Sequence, residues 1–214
     1  MRSFGPNEMF YIVLAARWTL LLAASALAGG VLFGALLTAI GLARNAIARH
    51  GVTIFVQFVQ GTPLLIVLLL TYFGLSALGF DLGALLSSAL ALTLYAGAYF
   101  STIWRGAIGA VGSGQWEGAA ALGLNRWFSF RFVIFPQALR MALAPTCGFT
   151  VQLIKNTSLA ALVGFVELTR AGQIASNATF QPLLAFGVVA VAYFVMCLPF
   201  TLLSEWLEHR HAHP

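Results

Sequence analysis

Side chains able to do chemistry are scarce in this sequence. Among its 214 residues six are acidic, four are histidine, two are cysteine, and Lys155 is the single lysine. Nucleophilic catalysis needs a nucleophile beside a base, and no such pair appears. His50 falls at an expected interface, and His209, His211 and His213 fall in the tail. The tail reads as a solvated end, although it has the residues to hold stray metal. Cys147 and Cys197 lie inside apolar runs and read as small buried hydrophobes rather than a disulfide or metal pair. Lys155 does not follow the G-x-x-x-x-G-K-[ST] pattern that cradles nucleotide phosphates, so the chain does not bind ATP by that route. What remains is Glu117, in the stretch QWEGAAALGLNRW (115–127), and the group Lys155, Glu167 and Arg170.

The elements that hold these residues are built for lipid. The chain is 60% hydrophobic and 8% charged, against about 25% charged in soluble domains. This excludes a soluble monomer and predicts an all-α integral membrane protein. At this length one domain, 1–214, is expected. The net charge of +5 resides mostly at the ends of apolar runs, which sets membrane orientation. No basic cluster with interleaved aromatics suggests nucleic acid. A crossing helix needs about 20 apolar residues. Five stretches qualify, at 18–42, 62–80, 84–104, 132–155 and 182–206. The first could pass for a signal peptide around Ala26–Ala28, but the run continues unbroken to Leu42 and reads as an uncleaved helix.

Four segments between the spans are informative. In 49–60, Arg49, Thr53, Gln57 and Gln60 share one helix face. Two readings stand: a helix lying at the membrane surface, or one turning its polar face toward a pathway. In Gly61-Thr62-Pro63, Gly61 ends that helix, Thr62 caps the next and Pro63 enters its first turn. The segment 105–131 carries Arg105, Arg126 and Arg131, which places it in the cytoplasm. Arg44, Arg49 and Arg210 fall on the same side, so the N-terminus is expected outside and the C-terminus inside. Residues 155–181 are too polar and interrupted to span. Such a piece is tolerated at membrane depth only where protein or a water-filled cavity surrounds it. Lys155, Glu167 and Arg170 are therefore expected at a cavity or the outer interface.

In 115–127, Ser113 or Gly114 starts a short helix, Gln115 to Leu122 favour it, and Gly123 suits a left-handed stop. Glu117 lies toward the positive end of the helix dipole. Gly118, Ala119, Ala120 and Ala121 give a nearly flat face. A helix this short is marginal alone, so it packs on its own membrane domain or on another protein. The bland alternative is a tight cytoplasmic connector with no partner.

Glu117, Gly118, Ala119, then Gly123, then Val133, Phe135 and Pro136 resemble the "EAA" loop of the membrane subunits of binding-protein-dependent ABC importers. That pattern is Glu-Ala-Ala, three residues, Gly, nine residues, Ile, one residue, Leu-Pro. The spacing matches throughout; Gly118, Val133 and Phe135 depart in residue type. Gly61-Thr62-Pro63-Leu64-Leu65, Ala98-Tyr99, Arg105-Gly106, Pro136-Gln137-Ala138-Leu139-Arg140 and Lys155-Asn156-Thr157-Ser158-Leu159 resemble the polar amino acid subfamily, the histidine, arginine, glutamine and glutamate importers. The resemblance implies a type I ABC importer permease fold in a bacterial inner membrane, with Glu117, Gly118, Ala119, Ala120, Gly123 and Leu124 in a cytoplasmic coupling helix. It implies as partners a cytoplasmic ABC ATPase dimer carrying ATP and Mg, a second permease subunit (identical or paralogous), a periplasmic amino-acid-binding protein and membrane lipid. No cofactor is implied in this chain, nor catalysis by it. Family substrate sites lie between the third and fourth spans and the following hairpin, which makes Tyr99, Thr102, Asn156, Thr157, Ser158 and Glu167 pathway candidates. Each has a local alternative: Thr157 and Ser158 cap the next short helix with Asn156 turning the chain, and Glu167 pairs with Arg170 at helical spacing. Many relatives have Glu at position 102 and Arg at position 60. Thr102 and Gln60 in their place weakly disfavour a cationic substrate in this subunit.

Two other classes compete. An ion-coupled secondary transporter or channel would favour an inverted repeat, which the two halves do not show. An intramembrane enzyme would need the catalytic pair or metal set already found missing.

Overall fold

The computed structural model describes residues 3–211, the side chain of His211 excepted. The end of the tail, Ala212 and His213, lies outside the described residues. The described residues form helices joined by short turns, without strands. They are α1 (Pro6–Gly41), α2 (Ala46–Gly61), α3 (Leu64–Ala77), α4 (Gly83–Ala110), α5 (Ser113–Ala121), α6 (Arg126–Val163), α7 (Leu168–Thr179) and α8 (Pro182–His211). Four of them, α1, α4, α6 and α8, are long and apolar enough to cross a membrane. A fifth crossing exists only if α2 and α3 count together, and they meet at a 106° bend.

The expected spans change their limits, 84–104 and 132–155 lying inside the longer α4 and α6. The helix containing 18–42 begins at Pro6, and at 36 residues it is about 54 Å long, well beyond the ~30 Å hydrocarbon layer. Arg17 therefore sits inside a helix, where its guanidinium stacks 5.4 Å from the Trp18 ring. The stretch 62–80 is helical only as the short α3, about 21 Å at 1.5 Å per residue.

Close backbone approach welds α1 to α4. A Cβ added at Gly30 would fall 2.5 Å from Ala96 Cβ, and one at Gly34 would fall 2.8 Å from Phe100 Cβ. From the other side, a Cβ at Gly97 would meet the Phe33 ring at 2.5 Å. In lipid, where apolar surface gains nothing by leaving solvent, such small-residue seams supply the packing. Around the seam Leu22, Leu68, Leu92, Phe100, Phe149 and Leu153 form the main core.

The turn chemistry differs from expectation at two threonines. Thr62 does not cap α3; its hydroxyl donates to the Phe58 carbonyl at 2.7 Å and closes α2 instead. Nor do Thr157 and Ser158 cap a new helix. α6 runs on past Asn156 into a 3-10 turn (Thr157–Val163), and the Thr157 hydroxyl donates back to Ile154 O at 2.7 Å. Gly164, at φ +86°, then ends the run in the left-handed conformation. α7 follows under the cover of α1 and α8: the Leu168 amide donates to Thr19 Oγ1 at 3.0 Å, and a Cβ at Gly172 would strike Val189. One face of the polar 155–181 piece is thus packed against α1 and α8, with Glu167, Leu168, Ala171 and Ala175 buried, while Lys155 and Arg170 are exposed.

Candidate functional site

The short helix expected in 115–127 is α5, and it starts at Ser113, one of the two expected starts. Glu117 consequently sits beyond the first turn, where the helix dipole is weaker support. Its stop is as anticipated. Gly123 adopts φ +78°, its amide donates to Ala120 O at 2.9 Å, and the Leu124 amide donates to Ala119 O at 3.1 Å. This is a Schellman closure, which needs a left-handed residue at the glycine position.

One side of α5 is fastened to its own membrane domain. Ala119 is 3% exposed. Trp116 packs with Val111, Ile134 and Ala138. Gln137 of α6 donates to Gln115 Oε1 at 3.2 Å and to its own helix at Val133 O, 2.7 Å. The other side is open: Glu117, Gly118, Ala120, Ala121 and Gly123 are exposed, and Leu122 is 81% exposed. Ala119 therefore belongs to the anchoring face and not to the flat exposed one; Leu124 is half-buried. The anchor reaches α6 where it is least regular. Phe130–Ile134 is a π turn, just before Pro136, which has no amide hydrogen to return to the preceding turn. Asn125 starts α6 by accepting the Phe128 amide at 3.0 Å.

Five of the six pathway candidates separate into three groups; the sixth, Ser158, is half-buried in the 3-10 turn beside Thr157. Tyr99 and Asn156 come together: Tyr99 stacks on Phe149 at 4.9 Å, Tyr95 packs on both rings, and Tyr95 neighbours Asn156. Asn156 Oδ1 accepts from Gln152 at 3.2 Å, while its Nδ2 is buried with no partner. Thr102 lies elsewhere, exposed, and accepts from Gln60 Nε2 at 3.0 Å. The polar face of α2 thus reaches α4, while Val52, Val56 and Val59 pack against Leu37 and Ala98. α2 is a member of the bundle with one polar stripe, not a helix lying free on a surface. Beside Thr102 a polar cavity of about 470 Å³ is walled by Gly41, Leu42, Arg105 and Gly106.

Glu167 belongs to the third group, with Thr157. It is wholly buried, and its carboxylate accepts the Thr169 and Arg170 amides at 2.9 Å and the Tyr193 hydroxyl at 2.8 Å. It is the N-cap of α7. No Glu167–Arg170 ion pair forms, because the Arg170 guanidinium turns to Gln173 Oε1 at 3.1 Å. Burial raises the Glu167 pKa above its ordinary value, against the opposing pull of its hydrogen bonds. Sequence reasoning missed Tyr193 and Gln115–Gln137, since neither partner is near the other in the chain.

Residues 30–213 match the family model described as binding-protein-dependent transport system inner membrane component. The chain belongs to that family. It is a non-enzymatic membrane subunit of an ABC transporter, a permease, and nucleotide hydrolysis is the task of a separate chain. It is 35% identical over 200 residues to the glutamine transport system permease protein GlnP of Escherichia coli (strain K12), covering 91% of this chain and 90% of that one. It is 37% identical over 191 residues to the arginine ABC transporter permease protein ArtQ of Haemophilus influenzae, covering 86% of each. Among solved structures, an amino acid ABC transporter crystallised with histidines superposes with a TM-score of 0.88 at 30% identity, over 94% of each chain. The methionine transporter MetNI in an inward-facing form shares the fold, with a TM-score of 0.74 at 19% identity. The expected type I importer permease fold is thus the fold of this subunit, and membership of the family removes the ion-coupled alternative.

Proposed function

We propose that this permease carries a polar amino acid across the inner membrane, and that α5 is its coupling helix. The observation that carries the reading is the two-sidedness of α5. One face is bonded through Gln115 and Trp116 to α6, while Glu117, Gly118, Ala120 and Gly123 are exposed among the described residues. A cleft of an ATPase closing on that face would push on the π turn of α6, and so on the span that bears Phe149 and Asn156. The ATPase would be a dimer holding ATP and Mg.

Two permease subunits, identical or paralogous, would enclose the path, fed by a periplasmic binding protein. We place five crossings in 1–214, the bent α2–α3 pair being one, with the N-terminus outside and the C-terminus cytoplasmic. Support comes from the grouping of ends. Phe4 meets Gln181 at one end of the bundle. Leu42, Trp104, Trp116 and Arg126 line one apolar groove at the other, where the arginines accumulate. Tyr99, Asn156 and Thr102 remain pathway residues in this reading; Glu167 and Thr157 hold the hairpin. The relatives' names, glutamine and arginine among them, supply the substrate class.

Copurification from detergent at native expression, with the associated chains identified by mass spectrometry, tests this. An ATPase bearing a phosphate-binding loop should accompany the permease. Recovery of the permease alone, still active in liposomes without ATP, would contradict it.

A further inference from the structure

At the α5 end of the bundle an open groove of about 820 Å³ runs between α1, α4 and α6. Small residues make room for it: Ala35 and Ala39 on α1, Ala138 and Ala142 on α6, each pair one turn apart. Its three long walls are helices able to cross a membrane. Leu42, Phe135 and Leu139 line it and are exposed, so the groove opens through apolar side chains. At the level of a bilayer such an opening admits hydrocarbon.

Its length fits one leaflet. On α6 the lining extends from Arg126 to Ala142, about 24 Å of helix at 1.5 Å per residue. One leaflet with its headgroup zone is roughly 20–22 Å deep, half of a bilayer of about 40–45 Å. The chemistry changes along that length as a leaflet's does. Arg126, Trp127 and Trp116 of α5 stand at one end, and Ala35, Leu139 and Ala142 at the other. Tryptophan at the headgroup level above an alkyl interior is the usual interfacial order. Between the ends no polar group is spare. The Thr38 hydroxyl donates to Gly34 O at 2.7 Å, and the Trp104 indole donates to Thr146 Oγ1 at 3.1 Å.

The polar end is cationic. Arg126 is exposed, and among the described residues its guanidinium has no acceptor. Arg131 lies just over one turn further, 6.0 Å from the ring of Phe135 in the groove wall. No carboxylate lines the groove among the described residues. Guanidinium groups match phosphate oxygens in charge and geometry, and basic pockets between crossing helices suit anionic headgroups. The channel beneath requires that the phosphate carry a hydrocarbon tail.

We propose that this groove holds one anionic phospholipid, with an acyl chain along Ala39, Ala138 and Ala142 and its phosphate at Arg126. Trp116 and Phe130 belong both to the groove wall and to the cluster that fastens α5 to α6. The bound lipid would brace that joint.

The complex, purified with its copurifying chains, is stripped of lipid in detergent and titrated with dioleoyl phosphatidylglycerol or dioleoyl phosphatidylcholine. Native mass spectrometry reads the lipid retained. Phosphatidylglycerol should bind at least ten-fold more tightly, and Arg126→Gln should remove that preference. Ala39→Phe, at an exposed position, should fill the groove and weaken both lipids at least five-fold. Arg210→Gln, outside the groove, should shift neither by more than two-fold. Glycerol phosphate, a headgroup without tails, should not displace the lipid. Equal binding of the two lipids, a preference that survives Arg126→Gln, or unchanged retention in Ala39→Phe would overturn the proposal. Displacement by glycerol phosphate would make the site one for free phosphate and overturn it too. So would loss of a second permease subunit from the Ala39→Phe complex, because the groove would then be covered by protein. Should either groove variant fail to assemble, the other decides.

Discussion

Glu167 shows how a buried acid can resemble a binding residue and be a structural one. Its oxygens accept two backbone amides and one phenol, so α7 begins where that carboxylate is held. Losing a side-chain N-cap costs about 1 kcal/mol, and the half-buried Tyr193 hydroxyl loses its carboxylate partner but keeps Thr169 Oγ1 at 3.2 Å. Glu167→Ala should therefore lower the detergent melting temperature clearly, and Tyr193→Phe less. Glu167→Gln keeps an acceptor and should retain uptake per assembled complex; loss of uptake without loss of assembly would return Glu167 to the pathway. The sequence alone showed the residue and its odd depth. It did not show the use, because the partner that completes the site, Tyr193, lies on α8, far along the chain. Gly123 was legible for the opposite reason. A left-handed stop is a local property, readable from one glycine after a run of helix formers, and the φ of +78° follows.

At the level of elements, the apolar runs located the crossing helices well and their ends poorly. The start of α1 was hidden because Glu8 and Arg17 interrupt the hydropathy, yet neither stops a helix that Pro6 opens and Glu8 helps to cap. The α2–α3 bend was readable at Gly61-Thr62-Pro63, but its 106° angle was not, because both helices pack against α4. The α1–α4 seam is the element-scale feature most open to test. A side chain at Gly34 has nowhere to go between Phe100 Cβ and Gly97 O, at 2.8 and 3.1 Å. Overpacking of this kind costs about 1–3 kcal/mol. Gly34→Val should lower the melting temperature in detergent. Gly187→Ala, in α8 with nothing within 4 Å, should leave it unchanged or raise it, because alanine favours a helix by up to about 1 kcal/mol over glycine. Equal effects would show that the seam is not tightly packed.

Seen whole, the subunit would act in the proposed reading as a lever whose two arms share α6. One end of α6 receives α5 through Gln115–Gln137 and the Trp116 cluster. Further along lie Phe149 against Tyr99, and then Asn156 and Lys155. A push on α5 would have a packed route along α6, through the π turn beside Pro136, to Phe149 and Asn156. The decisive measurement is ATP hydrolysis by the reconstituted complex, with and without substrate-loaded binding protein, for the unsubstituted permease and for Glu117→Lys and Gly123→Asp. Both substitutions alter the outward face or the stop of α5 and leave its anchor in place. Both variants should insert and assemble with unchanged yield while stimulation of hydrolysis and uptake are lost together. Normal stimulation in both would contradict the account, because α5 would then not be the element that links hydrolysis to transport.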